Sequence, residues 1–334
     1  MSRKKHCNIP IFIPELACPH QCVFCNQEKI SNTFSVPTPN EIGAIIDRYL
    51  ATISEGTVIN IAFFGGSFTG IPQAEMIGYL KVAYPYVQTG KVQGIRISTK
   101  PDCITNPILT ILEQYGVTAI ELGAQSTNDK VLVKSGRGHK FDAIENAAKL
   151  IRSRNFELGL QMMLGLPYDT LELSLQTARD IVRLKADSTR IYPTIVVKGT
   201  VLEKMYEKGT YQVLSMEDAL SWSKEVLKIF NAAKVKVLRV GLHPSEELAL
   251  GKSLVAGPIH PSFKEMVLSE LWSDVLHATQ LQKGKSIISV AKNQLNYAIG
   301  YQGKNRQALL TKGYDVKFAA AENLKDFELD VCYN

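Results

Sequence analysis

Three cysteines stand close together near the start of the chain, at the spacing C-x3-C-x2-C formed by Cys18, Cys22 and Cys25. Three thiolates this close can bind one metal centre, but they leave a four-coordinate site one ligand short. A [4Fe–4S] cluster suits that arrangement, because cysteines hold three irons while the fourth stays open for another ligand. Phe24 directly precedes the last cysteine, where an aromatic ring can lie against a nucleotide base. The spacing therefore predicts an iron–sulfur centre with one open coordination position.

Two other interpretations of these cysteines stay open. A structural zinc site would need a further ligand such as His6 or His20, since such sites are normally closed by four protein ligands. The cysteines could also be small residues buried by packing. The other three, Cys7, Cys103 and Cys332, are scattered at spacings that indicate no disulfide framework. Clustered thiols beside isolated ones indicate a reducing compartment, so we expect a cytoplasmic location.

Length and composition limit the class of protein. The chain has 334 residues, of which 45% are hydrophobic, enough for one large core or two moderate ones. No apolar run approaches the length of a membrane span, and no apolar signal segment follows the basic start, so we expect no membrane association. The formal charge of +6 permits a polyanionic partner but does not require one.

The elements that would position the cysteines alternate between short apolar strands and longer amphipathic helices up to about residue 245. Repeated units of this kind predict parallel strands joined by right-handed crossovers. Six units are too few for an eight-fold barrel, so the sequence predicts a partial (β/α)6 TIM-like barrel. The predicted strands are 9–14, 58–64, 94–98, 119–122, 158–164 and 189–192, with 235–240 as a further one, and the predicted helices are 39–53, 73–84, 107–115, 140–154, 170–184 and 216–233.

Polar and glycine residues follow the predicted strands at the point where each one ends. In barrels of parallel strands the chemistry lies at these carboxyl ends. Packing alone does not explain why such residues keep to one end, so we expect one site there. The segments are the cysteine loop after the first strand, then 65–68, 98–102, 123–126 and 165–167, with 190–193 on the sixth strand.

A second region is predicted after the barrel, which divides the chain into residues 1–247 and 248–334. Its last part indicates a small α+β unit: a strand at 285–291, a helix at 292–299, the tetrad Gly300-Tyr301-Gln302-Gly303, a helix at 305–312 and a strand at 315–319. This order resembles the minimal KH core, in which a glycine-rich loop clamps a nucleic-acid backbone. The resemblance implies that Gly300, Tyr301, Gln302, Gly303 and Lys304 contact RNA. The alternative is that the two glycines only cap helices.

The motifs of residues 9–241, in their order and spacing, resemble the radical S-adenosylmethionine (SAM) enzymes. The branch they resemble most contains the radical SAM domain of the elongator catalytic subunit, which modifies wobble uridines of tRNA. The motifs are Phe64-Gly65-Gly66-Ser67-Phe68-Thr69-Gly70-Ile71-Pro72, the segment 96–104, Glu121-Leu122-Gly123-Ala124-Gln125-Ser126, Gly136-Arg137-Gly138-His139, the run 161–167, and Arg190-Ile191-Tyr192-Pro193 with Lys198-Gly199-Thr200.

The resemblance implies a [4Fe–4S] cluster on Cys18, Cys22 and Cys25, SAM bound at its open iron, and a reducing electron donor such as flavodoxin or ferredoxin. Gly65 and Gly66 would let the backbone approach the methionyl group of SAM. Arg137 suits the carboxylate of SAM and Gln161 suits its ribose hydroxyls. Each polar residue could instead be an ordinary strand-end or capping residue. The implied cofactor-binding residues are Phe24, Gly65, Gly66, Ser67, Ser98, Gln125, Arg137 and Gln161.

Two departures from the family pattern bear on the reaction. Ser67 stands where many members have a glutamate that binds the SAM amine, although elongator-like members also use a small hydroxyl residue there. Nothing after Leu248 resembles the acetyltransferase domain with which the elongator enzyme continues. Carboxymethylation of uridine by this chain alone is therefore not expected.

Three hypotheses for function follow. The first is a radical SAM enzyme that modifies RNA, with tRNA as the expected substrate. The second is a radical SAM enzyme for a small molecule, similar to the coproporphyrinogen oxidase-like relatives. The third is a non-catalytic iron–sulfur binding module, which would leave the SAM-site residues without a purpose. The sequence assigns neither a catalytic residue nor the oligomeric state.

Overall fold

The computed structural model describes residues 5–13, 22–26, 35–242 and 252–333. Strands and helices alternate through most of it. The strands are β1 (His6–Ile13), β2 (Val58–Gly65), β3 (Gly94–Thr99), β4 (Val117–Gln125), β5 (Glu157–Leu164), β6 (Ser188–Pro193), β7 (Val196–Val197), β8 (Lys236–Val240), β9 (Leu254–Ala256), β10 (Gly284–Ala291), β11 (Tyr314–Ala321) and β12 (Leu329–Tyr333). The helices are α1 (Pro39–Leu50), α2 (Gln73–Gln88), α3 (Asn106–Gln114), α4 (Asp129–Lys134), α5 (Phe141–Arg152), α6 (Leu171–Arg183), α7 (Val201–Glu207), α8 (Met216–Ala232), α9 (Phe263–Ala278), α10 (Leu295–Ile299) and α11 (Lys304–Thr311).

The main sheet has seven strands in the order β1-β2-β3-β4-β5-β6-β8, and every neighbouring pair is parallel. A contact between distant strands shows that the sheet is curled: the Cζ of Arg190 on β6 lies 5.4 Å from the ring centroid of Phe64 on β2. This is the predicted partial barrel, and β8 is the further strand that the sequence indicated at 235–240.

The helices cover the outer face of the sheet because their apolar stripes face its apolar residues. Ile9 and Ile11 of β1 and Ile42 and Ile46 of α1 are fully buried in this layer. The predicted start of α1 is confirmed: Thr38 accepts a hydrogen bond from the amide of Glu41, and the Glu41 carboxylate accepts one from the amide of Thr38 at 2.7 Å. Such reciprocal caps satisfy amides that the first helical turn leaves without partners.

The C-terminal unit has a three-stranded sheet in which β10 is parallel to β11 and antiparallel to β12. The order strand, helix, tetrad, helix, strand is the predicted one, with a 3-10 turn (Lys292–Gln294) before α10 and an additional strand, β12. Its core contains Trp272, Ile288 and Val290. Helix α9 packs in both cores, since Phe263 and Val267 belong to the barrel core. The predicted division at residues 247 and 248 falls in residues 243–251, outside the described ranges, and stays a prediction.

Within the described ranges, no helix combines the length and the apolar character that a membrane span requires.

Candidate active site

The cysteine segment lies at the carboxyl end of the barrel. Cys22 is buried and Cys25 is partly exposed, and they are joined by a turn in which the Cys25 amide donates to the Cys22 carbonyl at 3.0 Å. The Val23 amide donates to the Ser135 carbonyl at 3.1 Å, and the Val23 carbonyl accepts from the Leu202 amide at 2.7 Å. Helices α4 and α7 therefore hold this segment. The predicted ligand Cys18 lies outside the described residues, and within them no three His, Cys, Asp or Glu side chains form a metal-binding group.

Phe24 lies on the α7 side of this segment. Its partly buried ring packs against an apolar cluster that includes Val196, Leu202 and Tyr211. This contact fixes the position of the segment between the cysteines. The predicted contact of Phe24 with a nucleotide base stays a prediction.

Arg137 lies directly against Cys22. Its Nη1 donates to the Cys22 Sγ at 3.2 Å, and its Nη2 donates to the Gly123 carbonyl. The residue is buried, yet its Nε–H has no hydrogen-bond partner among the described residues. A guanidinium group with a free donor beside the predicted cluster ligand suits an anionic group such as a carboxylate.

Gln125 and Ser98 also have buried polar atoms without partners in the described ranges. These atoms are the Gln125 Oε1 and the Ser98 Oγ. Gln125 has a φ of 66°, which is strained for a residue with a side chain. Gly123 leaves room for both neighbours, since a Cβ there would lie 3.1 Å from the Gln125 Nε2 and 3.3 Å from the Arg137 Nη2. Buried polar groups are nearly always paired in folded proteins, so this group of free donors and acceptors fits a polar ligand.

The glycine-rich segment after β2 has a structural role. Gly65 has a φ of 113°, and a Cβ there would lie 2.5 Å from the Ile13 carbonyl oxygen. The Gly66 amide donates to that oxygen at 2.9 Å. Ser67 is buried, with its Oγ 2.8 Å from the Thr99 Oγ1 and accepting from the Lys100 amide at 3.0 Å. The close approach that requires glycine at 65 is thus to the end of β1, and contact of this segment with SAM stays a prediction.

The barrel interior contains an ionic network that the sequence analysis did not single out. Glu121 of β4 is 1% exposed and accepts from the Arg190 Nε at 2.6 Å and the Arg96 Nη2 at 3.4 Å. Glu157 accepts from the Arg96 Nη1 at 2.9 Å. Burial alone would lower the pKa of both arginines, but the carboxylates beside them outweigh it and raise the pKa of each. The network neutralises two buried cations inside the barrel.

Gln161, a predicted SAM-binding residue, is attached to this network. Its Nε2 donates to the Glu121 Oε2 at 3.1 Å. Gly159 makes room for the glutamate, since a Cβ there would lie 2.8 Å from the Glu121 Cγ. Because Glu121 engages the amide nitrogen, the amide oxygen of Gln161 is the atom left to accept hydrogen bonds. The sequence contains a signal for this network: Glu121, Gln161 and Arg190 stand at positions within strands where apolar residues are expected.

The tetrad at 300–303 lies between α10 and α11. Gly300 has a φ of 91°, and a Cβ there would lie 2.6 Å from the Asn305 amide nitrogen. The Tyr301 amide donates to the Ser269 Oγ and the Gly303 amide to the Gly300 carbonyl, both at 2.8 Å. Two amides of the turn are therefore used inside the protein, which agrees with the capping interpretation.

The outer side of this turn is more open. Gln302 is exposed, and a Cβ on Gly303 would meet no atom within 4 Å. Tyr301 is partly buried, with its ring 5.7 Å from that of His260. Lys304 is exposed and forms an ion pair with Glu270 at 2.6 Å. Contact of these residues with RNA stays a prediction.

Comparisons with known proteins agree with this arrangement. Residues 13–181 match the radical SAM superfamily, and residues 186–273 match the radical SAM C-terminal domain. An uncharacterised protein of Methanocaldococcus jannaschii is 30% identical over 66% of this chain and 70% of its own length. The tRNA uridine(34) acetyltransferase of Dehalococcoides mccartyi is 24% identical over 61% of this chain and 52% of its own length.

Two further relatives cover different shares of the chain. Human Elongator complex protein 3 is 29% identical over 45% of this chain and 28% of its own length. The structure of archaeal Elp3 from Methanocaldococcus infernus superimposes on 81% of this chain and 63% of its own, with a TM-score of 0.63 and 18% identity, which shows a shared fold. The chain thus covers about half, or less, of the length of these tRNA-modifying or elongator relatives matched by sequence.

Proposed function

Because this chain belongs to the radical SAM superfamily, we propose that it uses SAM to modify RNA, and that its substrate is a tRNA. The protein is a radical SAM enzyme, and its cofactors are a [4Fe–4S] cluster and SAM. The sequence motifs resemble those of elongator enzymes, and the comparisons find Elongator complex protein 3 among the relatives of this chain. The observation that carries the RNA proposal is the similarity to a tRNA uridine(34) acetyltransferase over 61% of the chain.

The residues at the carboxyl end of the barrel fit these cofactors. Cys22 and Cys25, with Cys18, would hold three irons of the cluster, which when bound supplies the electron that breaks the sulfur–carbon bond of SAM. Arg137 would bind the SAM carboxylate through its free Nε–H while its Nη1 donates to the Cys22 sulfur. Gln161 would accept from a ribose hydroxyl, with its amide held in orientation by Glu121. These side chains would bind and orient the cofactor.

The chain covers only part of the relatives whose reactions are named, so the group transferred is not carried over from them. RNA contact is supported by the open outer side of the 300–303 turn and by a C-terminal unit with the element order of a KH core. The alternative is a small-molecule substrate, as in coproporphyrinogen oxidase-like enzymes. That alternative gives no role to the open turn or to the KH-like order of the C-terminal unit.

We expect Arg137→Ala to weaken SAM binding by about 1.5–3 kcal/mol, because a charge-assisted hydrogen bond to the carboxylate is removed. Isothermal titration with reconstituted protein would measure the change, with iron content determined in parallel. Arg154→Ala is the matched control: it also removes an arginine, but Arg154 is more exposed than Arg137 and pairs with Glu113. Equal SAM affinity in wild type and Arg137→Ala would show that the carboxylate lies elsewhere.

The substrate proposal is tested by comparing modified nucleosides of total tRNA from cells with and without the protein. One nucleoside should disappear in the deletion strain and return with the wild-type gene, but not with Cys22→Ala. In reconstituted reactions, tRNA that lacks this nucleoside should increase 5′-deoxyadenosine release above the uncoupled rate. An unchanged nucleoside profile together with no response to tRNA would favour the small-molecule alternative.

A further inference from the structure

The turn after β5 contains a tyrosine in a strained conformation. The Asp169 amide donates to the Leu166 carbonyl at 2.9 Å, which closes the turn Leu166-Pro167-Tyr168-Asp169. Tyr168 occupies the third position of this turn and has a φ of 67°. Four-residue turns with a positive φ at the third position usually have glycine or asparagine there. A side chain in this region strains the backbone. Tyr168 is 54% exposed, so burial of its ring does not account for a tyrosine at this position.

Two lysines lie against the Tyr168 ring. The Nζ of Lys130 is 4.8 Å and that of Lys134 is 5.3 Å from the ring centroid. Both belong to α4, one turn apart, so they project from the same face of that helix. Neither forms an ion pair with a carboxylate of the described residues. The ring therefore lies close to two ammonium groups and keeps a large surface open to solvent.

The surface formed by Tyr168, Lys130 and Lys134 lies at the same end of the barrel as the candidate active site. Tyr168 follows the carboxyl end of β5, and α4 follows that of β4. Ser135, the residue after α4, accepts the hydrogen bond from Val23 between the two described cysteines. Two carboxylates are adjacent to this surface in sequence. Asp169 accepts from the Gly165 amide and the Ser174 hydroxyl, and Asp129 accepts from the Phe141 amide at 2.9 Å.

We propose that Tyr168, Lys130 and Lys134 bind an unpaired nucleotide of the RNA substrate. The base stacks on the open side of the ring, and the two ammonium groups contact flanking phosphates. Aromatic stacking and cationic contacts together are how proteins hold single-stranded nucleic acids. Retaining a tyrosine where glycine or asparagine would relieve strain is explained if the ring serves binding. The proposal rests on the proposed function, since it assumes an RNA substrate.

Replacing Tyr168 by Asn separates binding from stability. Asparagine tolerates the positive φ, so the urea midpoint of Tyr168→Asn should equal or exceed that of the wild type. The affinity for a synthetic RNA hairpin with an unpaired loop should fall about fivefold to a hundredfold, the range of one base–aromatic stack. The same hairpin with abasic loop nucleotides should bind the wild type as weakly as the intact hairpin binds the variant. Tyr168→Phe keeps the ring and should keep the affinity.

The lysines are tested through salt dependence. In the double variant Lys130→Ala, Lys134→Ala, the negative slope of log affinity against log salt should become shallower by about 0.7 for each phosphate that the variant no longer neutralises. Lys91→Ala is the matched control, since Lys91 lies 5.8 Å from the centroid of the Tyr86 ring. RNA binding by wild type with no change in Tyr168→Asn would overturn this inference alone. Wild type without affinity for RNA would overturn the proposed function, and loss of uncoupled 5′-deoxyadenosine release in Tyr168→Asn would assign Tyr168 to the SAM site instead.

Discussion

Cys22→Ala is expected to abolish the [4Fe–4S] cluster and to reduce 5′-deoxyadenosine release to background. The predicted centre has three protein ligands, so removal of one leaves two thiolates for four irons. Cys22 is buried against Arg137, in the same turn as Cys25. Iron content and iron–sulfur absorption after anaerobic reconstitution would measure the effect. Cys18→Ala and Cys25→Ala should behave in the same way.

Cys103→Ala is the matched control for this prediction. Burial raises the pKa of the Cys103 thiol, so this side chain stays protonated and is a poor metal ligand. Its replacement should leave iron content near that of the wild type, as should replacement of Cys7 or Cys332. Stoichiometric zinc without iron–sulfur absorption in the reconstituted wild type would instead support the zinc interpretation.

The barrel could be predicted from the sequence because the seven strands of its sheet and six of its helices have local signals, whereas the short elements α4, α7, β7 and β9 were not predicted. Apolar runs with polar residues at one end located the strands, and the helix predicted from residue 39 begins there, after the cap at Thr38. Helix α9 gave no such signal, because Phe263 and Val267 face the barrel core while Trp272 faces the C-terminal core. A helix buried on two sides lacks a single apolar stripe.

The candidate site was only partly predictable. Arg137 and Gln125 could be selected by motif, but the sequence does not show that Arg137 contacts Cys22 or that both side chains meet beside Gly123. The reason for Gly65 could not be predicted either, because the atom that excludes a side chain belongs to Ile13, which is distant in sequence. The strain at Tyr168 is a backbone property that an ordinary-looking Pro-Tyr-Asp sequence does not reveal.

Replacing Glu121, a buried carboxylate between two arginines, should strongly destabilise the barrel interior. We expect Glu121→Gln to destabilise the fold by about 3–5 kcal/mol, because it leaves the buried Arg190 without its carboxylate partner. That change is a large part of the stability of a typical protein and should lower the melting temperature by on the order of 10 °C. Thermal unfolding followed by circular dichroism would measure it.

Glu157→Gln is the matched control, since Glu157 also pairs with Arg96 but has a side chain that is 36% exposed. It should cost at most about 1 kcal/mol. Adding Arg190→Gln to Glu121→Gln should recover part of the stability, because the unpaired buried cation is then removed. The double variant should still bind SAM more weakly than the wild type, since the amide of Gln161 no longer has the carboxylate that orients it. Equal melting temperatures for Glu121→Gln and Glu157→Gln would mean that burial does not distinguish the two carboxylates, and the network would then have no special role in holding the barrel interior.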